Sequence, residues 1–247
     1  MRPVFYTRAA FADEAVPCPE GVAAWPAFTL RAHVRPGLAD RIASHEAVFF
    51  SSPSAMKACR REVASWPRGT RLWVLGRTSR QKALELWPGV DVQAPGLDTG
   101  ESGSEAFAAW LESARSPSSV LILHGQGARL NLKPLLEQKG IACAAEELYA
   151  RTPLVLCERR QTLLRGWLRE QPPVSFYASP DAVGAFCAAF EAVPGALDWL
   201  KRGAACAIHP NVVRRLSQAG FATLALTPGD EAFYAYLRRQ EGARDLG

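Results

Sequence analysis

The chain has 247 residues, 48% of them hydrophobic and 21% charged. That is enough apolar side chain to offset chain entropy by burial, which excludes a disordered tail protein. The formal charge of +5 rests mostly on arginine, whose planar fork suits carboxylates and phosphates; an Arg-rich solvated surface is the plain alternative. No basic run or basic helix stripe accompanies the charge, so no nucleic-acid partner is expected. The longest apolar runs, such as Val120-Leu121-Ile122-Leu123, fall far short of the roughly 18–20 residues a bilayer span needs, so no membrane partner is expected either.

In chain order, short apolar runs predict strands at Val4–Thr7, Phe28–His33, Ala47–Phe50, Leu72–Leu75, Val90–Gln93, Val120–Leu123, Ala142–Tyr149, Val174–Tyr177, Cys206–Ile208 and Thr223–Leu226. Helical spacing predicts helices at Pro53–Val63, Glu105–Ser113, Leu130–Lys139, Pro180–Phe190 and Val212–Ala219. Strands alternating with amphipathic helices indicate an α/β fold built on parallel sheets. The start, Met1-Arg2-Pro3-Val4-Phe5-Tyr6, enters a strand pattern without a signal-peptide core. Six cysteines, at positions 18, 59, 143, 157, 187 and 206, show no C-x-x-C spacing and lie mostly in apolar segments. Buried free thiols in a reducing, cytoplasmic compartment are expected.

The chain also repeats itself. Phe49-Phe50-Ser51-Ser52-Pro53-Ser54-Ala55 resembles Phe176-Tyr177-Ala178-Ser179-Pro180-Asp181-Ala182. Further on, Leu75-Gly76-Arg77 lines up with Ile208-His209-Pro210, and Pro95-Gly96 with Pro228-Gly229. Two halves built on one plan follow. Small or polar turns succeed the strands: Ser51-Ser52-Pro53-Ser54, Gly76-Arg77-Thr78-Ser79, His124-Gly125-Gln126-Gly127-Ala128-Arg129, Ala178-Ser179-Pro180-Asp181 and His209-Pro210-Asn211. Ser before Pro is an N-cap pattern with proline in the first helical turn. In parallel sheets such turns gather at the carboxyl edge, where ligands bind, and helix N-termini there suit anions. Helix capping alone is the alternative for any one turn.

Familiar catalytic patterns are poorly matched. Gly125-Gln126-Gly127-Ala128-Arg129-Leu130 begins like a dinucleotide fingerprint, but Leu130 stands where the third glycine or an alanine belongs. There is no Walker sequence and no G-x-S-x-G nucleophile elbow. The four histidines, His33, His45, His124 and His209, make no i, i+3 or i, i+4 pair, so no metal site is expected. His124 and His209 either meet an anionic ligand or hydrogen-bond their own turns.

The duplicated strand-Ser-Pro-x-Ala-helix unit, the run from Val120 to Arg129 and the segment Glu147-Leu148-Tyr149-Ala150-Arg151-Thr152-Pro153 together resemble the uroporphyrinogen-III synthase family. That family's second half commonly carries an R-G-x-G-G-R-like turn and E-x-Y-x-R-x-P; here His124 replaces the first Arg and Ala128 the second Gly. The likeness runs from Val4 to about Leu237. It implies two similar lobes, each a parallel sheet flanked by helices, joined by a two-stranded ladder. The first lobe would comprise residues 1–28 and 154–247 and the second 34–146, with 29–33 and 147–153 as connecting strands.

The resemblance further implies cyclisation of hydroxymethylbilane, with inversion of its last pyrrole ring, to uroporphyrinogen III in haem biosynthesis. It implies a lyase with no cofactor, and a monomer is expected. Tyr149 matches the family's proposed acid, while Ser52, Ser79, Gly127, Arg129, Ser179, His209 and Asn211 match substrate-binding turns. One turn departs: the family commonly has G-P-T-T where this chain has His209-Pro210-Asn211-Val212. That departure keeps open a divergent paralogue without activity, or a two-lobed binding module for a polyanion.

Overall fold

Parallel strand pairing organises the computed structural model, which describes residues 2–16, 18–94, 107, 110–111, 116–128 and 130–242. The first elements are β1 (Val4–Tyr6), β2 (Ala10–Phe11), β3 (Val22–Ala24), β4 (Phe28–Ala32), α1 (Leu38–Ala43), β5 (Ala47–Phe50), α2 (Pro53–Glu62), β6 (Arg71–Val74), α3 (Gly76–Leu86) and β7 (Val92–Gln93). There follow β8 (Ser119–Gly125), α4 (Leu132–Gln138), β9 (Ala142–Pro153), α5 (Glu158–Trp167), β10 (Val174–Tyr177), α6 (Pro180–Phe190), α7 (Ala196–Arg202), β11 (Ala204–Ala207), α8 (Pro210–Gln218), β12 (Thr223–Leu226) and α9 (Asp230–Gly242). The chain divides into two compact units, one of Met1–Leu30 with Thr152–Gly247 and one of Arg31–Arg151. The divisions fall inside β4 and inside β9, which are neighbours in one sheet.

In the first unit five strands run in the order β12-β11-β10-β1-β3, every pair parallel. Successive side chains of a strand point to opposite faces, and the core follows that alternation. Phe5, Tyr177, Ala205 and Ala207 bury one face against Phe186 and Phe190 of α6 and Trp199 of α7. Tyr6, Phe176, Ala204 and Cys206 bury the other against Phe233 of α9. Phe5 is the hub, with ring centroids 5.0 Å from Trp25, 5.4 Å from Phe190 and 5.7 Å from Phe186.

The second sheet has the order β2-β4-β9-β8-β5-β6-β7. In the second unit Phe49, Trp73 and Ile122 face α4 residues Leu132 and Leu136 together with Phe107 and Leu111. Phe50 faces the other way, toward Trp66 and Trp87 at 5.9 and 5.8 Å. The sequence repeat aligns β5 with β10 and β6 with β11. In both sheets those strands are adjacent and parallel, and in both a third strand, β8 or β1, flanks the first of them.

Several expected boundaries move for identifiable reasons. Helix α8 begins at Pro210 rather than Val212 because proline's fixed φ suits the first helical position. Strand β9 continues four residues past Tyr149, to Pro153. Helix α5 escaped the apolar pattern because only Leu164 of it is buried. Of the expected helix Glu105–Ser113 only Phe107, Trp110 and Leu111 are described, and they pack on Trp73. The landmark Pro95-Gly96 lies outside the described residues. All six cysteines are free, but the expectation of buried thiols is corrected: Cys59 and Cys206 are buried, Cys18, Cys143 and Cys187 half-buried, and Cys157 is exposed at the head of α5. Burial pushes the Cys143 thiol up to about 11 and Cys206 to about 12. Among the described residues no helix is long and apolar enough to cross a membrane.

Because Phe5 is fully buried among aromatic rings, Phe5→Ala is expected to cost about 3–5 kcal/mol through lost burial and a residual cavity. The urea midpoint of the purified protein measures it; a shift worth under about 1 kcal/mol would contradict the packing described.

Candidate functional site

Tyr149 stands near the end of β9, 7% exposed. Opposite β8 the pairing runs in register through His124 and Glu147, then slips so that Gly125 faces Tyr149, leaving Leu148 as the extra residue of a bulge. Such a bulge re-aims the following side chain. The carbonyls of this stretch are all engaged: Glu147 O accepts from Arg35 Nε and Nη2 at 3.0 and 2.7 Å, Leu148 O from the His33 backbone N–H at 2.9 Å, and Tyr149 O from the Gln126 backbone N–H at 2.9 Å.

The Tyr149 hydroxyl lies 3.3 Å from Ser52 Oγ. Ser52 is the N-cap of α2, in extended conformation, and its oxygen accepts from the Ala55 N–H at 3.2 Å with Pro53 following. The phenol hydroxyl and the positive end of a ten-residue helix therefore meet at the carboxyl edge of parallel strands. Gly127, with φ +71°, forms the exposed turn after β8. His124 hydrogen-bonds its own turn, its Nδ1 3.0 Å from the Gly125 carbonyl oxygen. Ser79 lies within α3, partly exposed, rather than in a turn before it. Arg129 lies outside the described residues.

In the first unit Ser179 caps α6 as Ser52 caps α2, accepting from the Ala182 N–H at 3.2 Å. His209 caps α8 through Nδ1, which accepts from the Asn211 N–H at 3.2 Å. These two caps follow β10 and β11, which are adjacent and parallel, so they share one carboxyl edge. The Asn211 residue is exposed there. A further group at that edge has no motif to mark it in the sequence. Arg8, just past β1, donates from Nε to the Tyr6 hydroxyl at 2.9 Å and from Nη2 to Asp230 Oδ1 at 2.7 Å. Burial, with the Asp230 carboxylate, pushes the Tyr6 phenol well above its ordinary value against the opposing pull of Arg8. An arginine one residue beyond a predicted strand was the available signal; its acid partner lies 222 positions away. Gly125 and Gln126 carry no residue-type signal of a role, although both follow directly on the apolar run Val120–Leu123 and His124.

The family model HEM4, uroporphyrinogen-III synthase HemD, matches residues 25–233. A crystal structure of uroporphyrinogen-III synthetase from Helicobacter pylori superimposes with a TM-score of 0.63 at 14% identity, covering 97% of this chain and 100% of that one. A mutant uroporphyrinogen III synthase from the extremely thermophilic bacterium Thermus thermophilus gives 0.55 at 13% identity, covering 88% of each chain. At these identities the structural likeness is one of fold. A comparison with curated proteins finds no match.

Two expectations follow from the site's local chemistry. Ser179→Ala removes an N-cap and is expected to cost about 1 kcal/mol, while Ser179→Thr, which keeps a hydroxyl, costs less; urea midpoints distinguish them, and equal losses would remove the cap from the account. The raised Tyr6 phenol favours the folded state fully below the unfolded phenol's value of about 10 and loses that contribution as pH rises beyond it. Stability is therefore expected to fall more steeply between about pH 9 and pH 11 in the native protein than in Tyr6→Phe, and parallel profiles would refute the assignment.

Proposed function

The chain belongs to the uroporphyrinogen-III synthase family, and from that membership we propose that it closes hydroxymethylbilane with inversion of the last pyrrole ring, giving uroporphyrinogen III and water. Tyr149 is the acid in this reading. The substrate's first ring loses its hydroxyl as water when a proton is delivered to that oxygen, leaving a cationic azafulvene. The last ring attacks the azafulvene through its substituted carbon to give a spiro intermediate; the bond from that carbon to its original methylene bridge then breaks, the methylene recloses on the ring's free α carbon, and the proton lost there returns to the Tyr149 oxygen. Spontaneous closure gives the uninverted isomer, so orientation is what the protein must add.

The observation that carries the reading is the Tyr149 hydroxyl held 3.3 Å from Ser52 at a carboxyl sheet edge. Ser52 Oγ already accepts from Ala55, so its own proton is available to the phenol oxygen as Tyr149 gives up its proton. The N-cap turns at Ser52, Ser179 and His209, the side chains of Ser79, Arg129 and Asn211 and the backbone of Gly127 are groups each suited to bind one of the substrate's carboxylates. Helix N-termini and amide donors are suitable hosts for them. The His209-Pro210-Asn211-Val212 turn supplies an imidazole and an amide where the family commonly has hydroxyls. His209 Nδ1 is occupied by its own helix, so its Nε2 and the Asn211 amide are the donors left for a carboxylate. The protein acts as a monomer in the cytoplasm, without metal or organic cofactor.

The test is product analysis with purified protein and freshly made hydroxymethylbilane, oxidising the porphyrinogens and separating type I from type III isomers. Type III above the spontaneous background is expected, and Tyr149→Phe is expected to lower kcat by roughly 10²-fold, the lower range for a positioned acid. Type I alone from the native protein would overturn the activity; type III at the native rate from Tyr149→Phe would overturn the role of the tyrosine.

A further inference from the structure

Tyr149 on β9 and Ser52 after β5 lie on opposite sides of β8 in the sheet order β9-β8-β5. Neighbouring strands are about 4.8 Å apart, so a phenol that reaches Ser52 from β9 must lie across the backbone of β8. It crosses at Gly125: a Cβ built there would overlap Cζ, Cε2 and Oη of the Tyr149 ring. The glycine is not needed for backbone conformation, because Gly125 is not among the residues with positive φ. It is needed for space.

The next residue holds the strand at the tyrosine and two residues beyond it. The Gln126 backbone N–H donates to Tyr149 O, and Gln126 Oε1 accepts from the Arg151 backbone N–H, each at 2.9 Å. Both contacts lie just beyond the bulge at Leu148, where the pairing with β8 resumes in its shifted register.

We propose that Gly125 and Gln126 are positioning residues for Tyr149: the glycine provides the channel over which the ring crosses β8, and the glutamine pins β9 so that the hydroxyl stops at Ser52. The proposal rests on the reading of Tyr149 as the acid, and adds that the glycine in the turn serves the phenol rather than a substrate anion.

The experiment compares Gly125→Ala, Gln126→Leu, Gln126→Glu, Tyr149→Ala and the double variant Gly125→Ala/Tyr149→Ala by kcat, KM, type III fraction and melting temperature. Displacing an oriented group by about 1 Å costs up to roughly 10²-fold, so Gly125→Ala is expected to lower kcat by about 10- to 100-fold, with KM within about threefold. Its products should shift toward type I. In the Tyr149→Ala background the same change has no ring to meet and should alter neither rate nor melting temperature. Native kcat and isomer fraction in Gly125→Ala, or an equal loss in both backgrounds, would overturn the glycine's role.

Gln126→Leu keeps the backbone contact and removes only the side-chain acceptor, so it tests the clamp if Gly125→Ala does not fold. A loss in kcat of roughly two- to tenfold at native melting temperature is expected, largely recovered in Gln126→Glu, which retains the acceptor; a native kcat in Gln126→Leu would overturn the clamp. Tyr149→Phe run alongside separates the two ideas. If it keeps native kcat and isomer fraction, the acid reading fails, and the glycine channel stands or falls on whether Gly125→Ala lowers the melting temperature only where the tyrosine ring is present.

Discussion

The missing side chain at Gly125 is the constraint on which the candidate site depends. A phenol anchored on one strand can meet a helix cap two strands away only by lying on the backbone between them, and any Cβ at that point forbids it. The surrounding features follow from that need. The bulge at Leu148 brings Tyr149, rather than Leu148, opposite the glycine. The carbonyls around the bulge are all engaged, by Arg35, by the His33 N–H and by the Gln126 N–H, as buried backbone acceptors require.

The same helix-starting device occurs at three strand ends. Ser52, Ser179 and His209 are all N-caps in extended conformation, with φ of −163°, −156° and −149°, each followed by proline. In the two serine caps the hydroxyl accepts from the third residue of the helix-start segment, Ala55 or Ala182, whereas the stiffer imidazole accepts from the second, Asn211. A lone pair on Nδ1 is what makes the imidazole a cap, so the ring's remaining N–H, on Nε2, faces away from the helix. The exchange of a hydroxyl for an imidazole thus preserves the helix start while changing which donor the turn can offer a ligand.

What could be read from the chain was what depends on local pattern. Strands β5, β10 and β12 have the expected bounds, since short runs of mostly apolar or β-favouring residues end at a turn signal, and the Ser-Pro caps follow from the preferences of single residues. What could not be read depends on register and distant pairing. Leu148 and Tyr149 are both largely apolar, so nothing in the residue types marks a bulge between them. The glycine at 125 reads as an ordinary turn residue until a ring is seen lying on it. Arg8 and Asp230 are brought together only when the first strand enters the sheet beside β10. Short β2 and β3 and the mostly polar α5 carry too few buried residues to make a period.

The duplication also explains why one unit, and not both, carries the tyrosine. Strand β8 beside β5 corresponds to β1 beside β10, with Ile122 opposite Phe49 as Tyr6 is opposite Phe176. Three residues beyond Ile122 is Gly125; three beyond Tyr6 is Ala9, which has the Cβ that Gly125 lacks. Thr7, buried at that edge, turns its hydroxyl back to the Phe176 carbonyl at 2.6 Å, and Arg8 is tied to Tyr6 and Asp230. A ring could not cross there as it does over Gly125. The Ser179 cap of the first unit therefore lacks the phenol contact that Ser52 has, and the two copies of one plan differ at this edge: a bare N-cap in the first, and in the second an N-cap with a tyrosine ring laid across the neighbouring strand.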